Sequence, residues 1–374
     1  MSSSVPERAA LAALAALLCA GCGGPAPGTR WVHEVELQGV EQLDEGEIAD
    51  GLGNRETSWW SWTPFADKHD FDEATLDQDL RRIEAYYRAR GFFDASARKQ
   101  RVVQRADGES VDIYLAIDEG KSTRFASVEV AGLEAIPDEL QRSVGAELGI
   151  APGQRFDHAA YLAARKRVLG RLERAGYAYA RVEGQVDVDR DRRTAEVRIR
   201  AAPGPRVRFG PTTITGNGPI PADKLARLTS WREGDRYDAD EIALTRARLY
   251  NERVFGAVKI ELPDEPTAVA PVTIDVTPTK LRELRLGVGV GVEKKRHEAR
   301  LRGVWTWRNF LGGLRTLELQ LRPAYVAMPA VWDAERHGPA VESEAKLTQP
   351  DAFGTGISVY GKLGYDLGIH EGYR

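Results

Sequence analysis

The chain has 374 residues, of which 42% are hydrophobic and 29% charged, with a formal net charge of −4. That length asks for roughly two to four domains, the composition for a folded chain, and the negative balance counts against a non-specific nucleic-acid binder. Basic stretches such as Arg165-Lys166-Arg167 and Arg190-Asp191-Arg192-Arg193 sit among acids and read as solvated faces.

Residues Ala9 to Leu18, after a lone Arg8, form a short uncharged Ala/Leu run. The run is too short to span a bilayer as a helix, and a basic residue, a short apolar core and then small residues make the pattern of a secretory signal. Residues 1–22 are read as that signal. The only two cysteines, Cys19 and Cys22, lie at its end, so no disulfide framework is expected in the mature chain. The run Leu18-Cys19-Ala20-Gly21-Cys22 resembles a bacterial lipoprotein signal, which makes Cys22 a candidate lipidation site. Cys19 stands where that motif prefers an aliphatic residue, and ordinary cleavage within 23–28 is the alternative.

Three copies of one module follow. The first opens Val35-Glu36-Leu37-Gln38-Gly39, the second Val128-Glu129-Val130-Ala131-Gly132, the third Thr212-Thr213-Ile214-Thr215-Gly216. Each is a short strand closed by a glycine, at spacings of 93 and then 84 residues. Four residues on come Leu43, Ile136 and Ile220; in the last two copies Pro137 and Pro221 follow, then acids that suit a helix start.

A second helix begins in every copy with an aromatic–aspartate pair: Phe71-Asp72, Phe156-Asp157 and Tyr237-Asp238. Aspartate is a good N-cap, so the pair reads as a packed ring followed by a cap. The expected buried faces are Leu76, Leu80, Ile83 and Tyr87 in the first copy, and Leu162, Val168, Leu169 and Leu172 in the second. These helices end at Arg90-Gly91-Phe92, Ala175-Gly176-Tyr177 and Arg253-Val254-Phe255. Gly91 and Gly176 are expected just past the helix, with Arg253 in that place in a third helix about one turn shorter.

Two strands close each module: about Ala95–Gln104 with Val111–Ile117, Arg181–Val188 with Ala195–Arg200, and Ala257–Leu262 with Val272–Thr277. The fold class is therefore α+β, in the order β-α-α-β-β three times over. Module bounds are expected at 30–124, 125–208 and 209–280.

From Leu281 helical periodicity disappears. Leu284, Leu286, Val288, Val290 and Val292 alternate with Arg285, Gly287, Gly289 and Gly291. Apolar residues on one face and small or polar ones on the other, over about ten residues, mark a transmembrane barrel strand. Further strands are expected at Ala299–Trp307, Leu314–Arg322, Val341–Thr348 and Gly356–Tyr365, with Trp305, Trp307, Tyr325 and Trp332 near strand ends. About eight strands are needed to close a membrane barrel, so residues 281–374 are expected to be its incomplete N-terminal part. A soluble β-sandwich produces alternation too.

The modules ahead of such strands resemble the POTRA (polypeptide-transport-associated) domains of the BamA/TamA family. The pieces that carry the resemblance are Ile117-Asp118-Glu119-Gly120-Lys121, the run Arg248-Leu249-Tyr250 through Val254-Phe255-Gly256-Ala257-Val258, and Arg308-Asn309-Phe310-Leu311-Gly312-Gly313. Three modules look more like the TamA branch, and the Val-Arg-Gly-aromatic motif of the family's late barrel is absent from this sequence. The resemblance implies an outer-membrane assembly factor of a Gram-negative bacterium, not an enzyme, with periplasmic modules. Its implied partners are unfolded outer-membrane protein clients, other assembly-complex or periplasm-spanning proteins, and outer-membrane lipid. It also implies strand addition at a module edge, here Ala257, Val258, Lys259, Ile260, Glu261 and Leu262. A two-partner secretion pore, which usually has two modules and a plug helix, and a periplasmic interaction scaffold are the alternatives.

No cofactor, metal or catalytic site is expected. Gly287-Val288-Gly289-Val290-Gly291 fails as a dinucleotide loop, because Val292 stands where the third glycine belongs. The histidines at 33, 69, 158, 297, 337 and 370 share no ligand spacing, and no Gly-x-Ser-x-Gly occurs. The cluster Trp59-Trp60-Ser61-Trp62 reads either as a partner or membrane contact or as a loop packed on its own module.

Overall fold

The structure is a computed structural model that describes residues 30–57, 69–352 and 357–368. The expected signal, Cys22 and the Trp59-Trp60-Trp62 cluster lie outside them.

The first module starts with strand β1 (Trp31–Gln38), whose Val32, Val35 and Leu37 are buried. Helix α1 (Glu45–Asp50) is capped by Asp44, whose side chain accepts from the Glu47 N–H. Helix α2 (Glu73–Ala89) is capped by Asp72, which takes the N–H groups of Ala74 and Thr75, satisfying two of the free donors every helix start presents. Leu76, Ile83 and Tyr87 are buried along one stripe at helical spacing. Strands β2 (Ser96–Gln104) and β3 (Ser110–Asp118) follow, and the sheet order is β1-β3-β2. β1 pairs parallel and β2 antiparallel with β3.

The second module repeats this with β4 (Arg124–Ala131), α3 (Asp138–Ala146), α4 (His158–Arg174), β5 (Arg181–Asp189) and β6 (Thr194–Ala202), in sheet order β4-β6-β5. Asp157 accepts from the Ala160 N–H and caps α4. The expected face of α4 needs correction. Leu162 is 45% exposed, while Tyr161, Ala164, Val168 and Leu172 are buried. Spacings of three and four residues keep that set on one stripe, and Leu162 falls off it.

The third module runs β7 (Arg208–Thr215), α5 (Ala222–Ala226), α6 (Ala239–Asn251), β8 (Phe255–Glu261) and β9 (Val269–Pro278), in order β7-β9-β8. α6 has 13 residues against 17 in α2 and α4, the expected lost turn. Arg253 takes φ 56° where Gly91 and Gly176 have 91° and 101°, so it holds the left-handed position without the glycine that relieves it.

Main-chain bonds join successive modules. The Gly91 carbonyl accepts from Thr123 and the Thr123 carbonyl from Phe156, both at 2.8 Å. Likewise the Gly176 carbonyl accepts from Val207 at 2.8 Å and the Val207 carbonyl from Tyr237 at 3.0 Å. Contacts divide the chain into two compact units, Met1–Val168 with Val182–Ala201 and Leu169–Arg181 with Ala202–Arg374, so the division runs through the second module rather than between modules.

Five antiparallel strands complete the described residues in the order β10-β11-β12-β13-β14: Arg282–Glu293, Arg296–Arg308, Thr316–Ala330, Asp333–Ala352 and Ile357–Leu367. Leu314, expected as the start of a strand, instead lies in the turn before β12 with φ 64° and is buried.

Candidate functional site

Strand β8 lies at the edge of its sheet and, among the described residues, pairs only with β9. Phe255, Val258 and Ile260 are buried in the third module's core with Ile242 and Leu249 of α6 and with Ile274 and Val276 of β9. Lys259 and Glu261 are exposed and pair at 2.6 Å. Of the residues expected at this edge, Ala257, Val258, Lys259, Ile260 and Glu261 lie in the strand. Leu262 does not: the strand ends at Glu261, and Leu262 packs half-buried against the core.

The register, with the bond made by Val258, also indicates which backbone groups point away from β9. Val258 faces Val276 across the pair, yet its N–H is donated at 3.1 Å to the Tyr250 hydroxyl on α6 rather than to β9. Antiparallel residues alternate between exchanging bonds with the partner and pointing away from it, so Ile260 turns its N–H and carbonyl to the same open side as Val258. By the same alternation Lys259 and Ala257 turn their groups toward β9, facing Asp275 and Thr277. An extended chain beside β8 would meet the Val258 and Ile260 groups.

The third module continues directly into the five-stranded sheet. Leu281 packs against the module core, and Leu314, from the β11–β12 turn, is 7% exposed within it. The Arg308 N–H donates to the Leu281 carbonyl at 2.7 Å, and its guanidinium reaches the Lys280 carbonyl and the Glu283 carboxylate. Trp307 stacks edge-on against Phe310 and lies under the Arg282 guanidinium.

Register sorts this sheet into two unlike faces. Leu286 pairs with Gly303 and Gly303 with Leu321; Val288 pairs with Leu301, and Leu284 with Trp305, which pairs in turn with Leu319. Directly paired residues share a face, so these apolar side chains form one continuous surface, with Val288 85% exposed. The other face holds Arg285, Arg302, Gln320, Glu344 and Lys362, tied across strands by Arg302 to Gln320 and by Lys362 to Glu344. An exposed apolar surface of this extent opposite a charged one suits lipid on one side and a polar lumen on the other.

One cluster in the first module has no signal in the spacing of its residues. His33, Glu34 and Asp112 bring ligand atoms within 4.8 Å of one another, but the Arg105 guanidinium already stands 2.8 Å from His33 Nδ1 and 3.3 Å from Asp112. A fixed cation fills the place a metal ion would take.

Repeated β-α-α-β-β modules leading into an amphipathic antiparallel sheet define the class: a modular arm carried by the start of a β-barrel. The chain belongs to the POTRA family (surface antigen variable number repeat), which matches residues 32–120, 123–204 and 207–279. The chain is 21% identical over 247 residues to the outer membrane protein assembly factor BamA of Neisseria meningitidis serogroup B, covering 66% of this chain and 30% of that protein. To the BamA of Buchnera aphidicola it is 20% identical over 265 residues, covering 70% of this chain and 42% of that one. It thus spans less than half the length of these relatives. The crystal structure of BamA from Haemophilus ducreyi lacking POTRA domains 1-3 superposes with a TM-score of 0.50 at 17% identity, covering 65% of this chain and 43% of that one, which bears on the fold.

Proposed function

We propose that this protein is an outer-membrane assembly factor of a Gram-negative bacterium, which inserts β-barrel or autotransporter clients, and that it is not an enzyme. Its modules reach into the periplasm and its sheet forms part of a barrel in lipid. The observation that carries the reading is the two-faced register of β10 to β14 directly after three POTRA modules. The names of the BamA relatives agree with it. Unfolded outer-membrane proteins are the clients, and other assembly or periplasm-spanning proteins dock on the arm. Three modules favour the TamA branch. A division at 30–124, 125–208, 209–280 and 281–374 follows the strand starts at Arg124 and Arg208.

Clients or partners engage by strand addition at β8, whose outward groups at Val258 and Ile260 a further strand can fill. No nucleotide is required, because burying a client's apolar face in lipid supplies the free energy. Proline removes a backbone donor. Val258→Pro removes an edge donor, while Lys259→Pro removes a bond to β9 and serves as the folding control. Val258→Pro should reach the outer membrane folded and assemble clients slowly. Proline at equivalent positions within Arg181–Val188 gives the comparison with the second module. A normal assembly rate in a folded Val258→Pro protein overturns the reading.

A further inference from the structure

In each module the second helix sends one polar side chain to the backbone of the edge strand that follows it. In the first, the Glu84 carboxylate accepts from the Ala97 N–H at 3.3 Å. In the second, the Arg165 guanidinium donates to the Val182 carbonyl at 3.1 Å. In the third, the Tyr250 hydroxyl accepts from the Val258 N–H at 3.1 Å. Three residue types of unlike chemistry thus do one thing: each occupies an edge group where a further strand would begin to pair. Sheet edges left open are a hazard, and a side chain laid over one is a way of closing it.

The three caps differ in how readily they give way. Glu84 and Arg165 are charged, and hydrogen bonds to ionised groups are roughly twice as strong as neutral ones. Tyr250 is neutral, sits in the last turn of α6 and is 43% exposed, so a side-chain rotation places its hydroxyl in water. Because the hydroxyl accepts from Val258, what replaces it must supply an acceptor. A backbone carbonyl of an extended polypeptide does so like for like. The buried Val258 and Ile260 alongside set the side-chain pattern of such a strand, apolar at alternate positions.

We propose that Tyr250 is a displaceable cap on the third module's free edge, so that strand addition proceeds there by exchanging the tyrosine hydroxyl for a carbonyl of the incoming chain. The inference rests on the strand-addition reading above and specifies which of the three edges opens and what opens it.

The test uses the whole protein and Tyr250→Phe, which keeps the ring and deletes only the hydroxyl. The probe is a synthetic peptide with the sequence Arg282–Glu293, an alternating barrel strand. Without peptide, hydrogen exchange at the Val258 amide should be about five-fold faster in the variant, the ratio set by the net worth of one neutral hydrogen bond. With peptide, the Ile260 amide should become protected in both proteins, and the variant should bind several-fold more tightly. Unchanged Val258 exchange and unchanged affinity overturn the cap while leaving strand addition intact, provided Ile260 is still protected. Failure of the peptide to protect Ile260 in either protein overturns strand addition at this edge, and the cap with it.

Discussion

The Tyr87 hydroxyl donates at 2.8 Å to the carboxylate of Glu119, which also accepts the backbone N–H groups of Glu41 and Gln42. Helix α2, the end of β3 and the loop after β1 are thereby held at one buried point. Glutamine at 119 would set an NH2 donor against donors already there. Glu119→Gln should cost about 2–4 kcal/mol in urea unfolding, since each buried group left unpaired costs roughly 1–3 kcal/mol.

The same carboxylate gives a pH dependence. Burial by itself raises its pKa, but the Glu41 and Gln42 N–H groups with the Tyr87 hydroxyl outweigh it, and the net shift is below the ordinary value of 4.5. A depressed folded-state pKa contributes stability that is full above 4.5 and is lost as pH falls through the lower folded value. Thermal unfolding followed from pH 7 downward should show the wild type losing more of its stability below that range than Glu119→Gln does. Equal acid sensitivity would remove Glu119 as a cause.

The glycines that close the three first strands have φ of 91°, 85° and 73°, and a Cβ on Gly39, Gly132 or Gly216 would run into the carbonyl oxygen of Ile117, Ala201 or Val276. Each Gly→Ala change should cost about 2 kcal/mol or more, from left-handed strain plus the clash. Gly108 shares a positive φ but meets nothing, so Gly108→Ala should cost only the strain. Calorimetry of the four variants checks the order.

Leu314 reaches from the β11–β12 turn into the third module's core. Leu314→Ala should destabilise that module by about 2–3 kcal/mol, the low end for a buried leucine truncation. Limited proteolysis should find the turn near Gly312 and Gly313 cut faster. An unchanged digestion pattern would mean the turn is held by other contacts.

The two faces of the barrel sheet predict opposite tolerances. Val288→Arg on the apolar face should cost about 2–4 kcal/mol at mid-membrane depth and reduce outer-membrane yield. Thr348→Arg, on the polar face opposite Thr316, should insert normally. Equal yields would favour a soluble sheet.

How far these features could be read from the sequence depends on how local their causes are. Asp72, Asp157 and Asp238 cap their helices because capping is decided within three residues, and the order of the modules follows from such local signals. Leu162 escapes a sequence reading of the α4 face because a leucine is apolar wherever it points, and only the turn angle of the formed helix separates it from Tyr161. Leu314 alternates with Leu317 and Leu319 only loosely, and its burial comes from the module before it, far from any strand signal. The caps at Glu84, Arg165 and Tyr250 share no residue type, so no repeat in the letters exposes them.

The joints between modules have a consequence for how such an arm can change in length. Both share one main-chain pattern: a carbonyl at the end of a second helix, a linker residue that both gives and takes, and the N–H of the aromatic residue that opens the next module's second helix. Each module carries the acceptor at its far end and the donor at its near end. A duplicated or deleted copy therefore arrives, or leaves, with compatible main-chain ends. Drift among the copies is limited where side chains enter the joint, since a Cβ on Gly91 would meet the Phe156 carbonyl oxygen and Phe93 packs on the Phe156 ring. Within that limit, arms of different module number can descend from one another by whole-cassette steps.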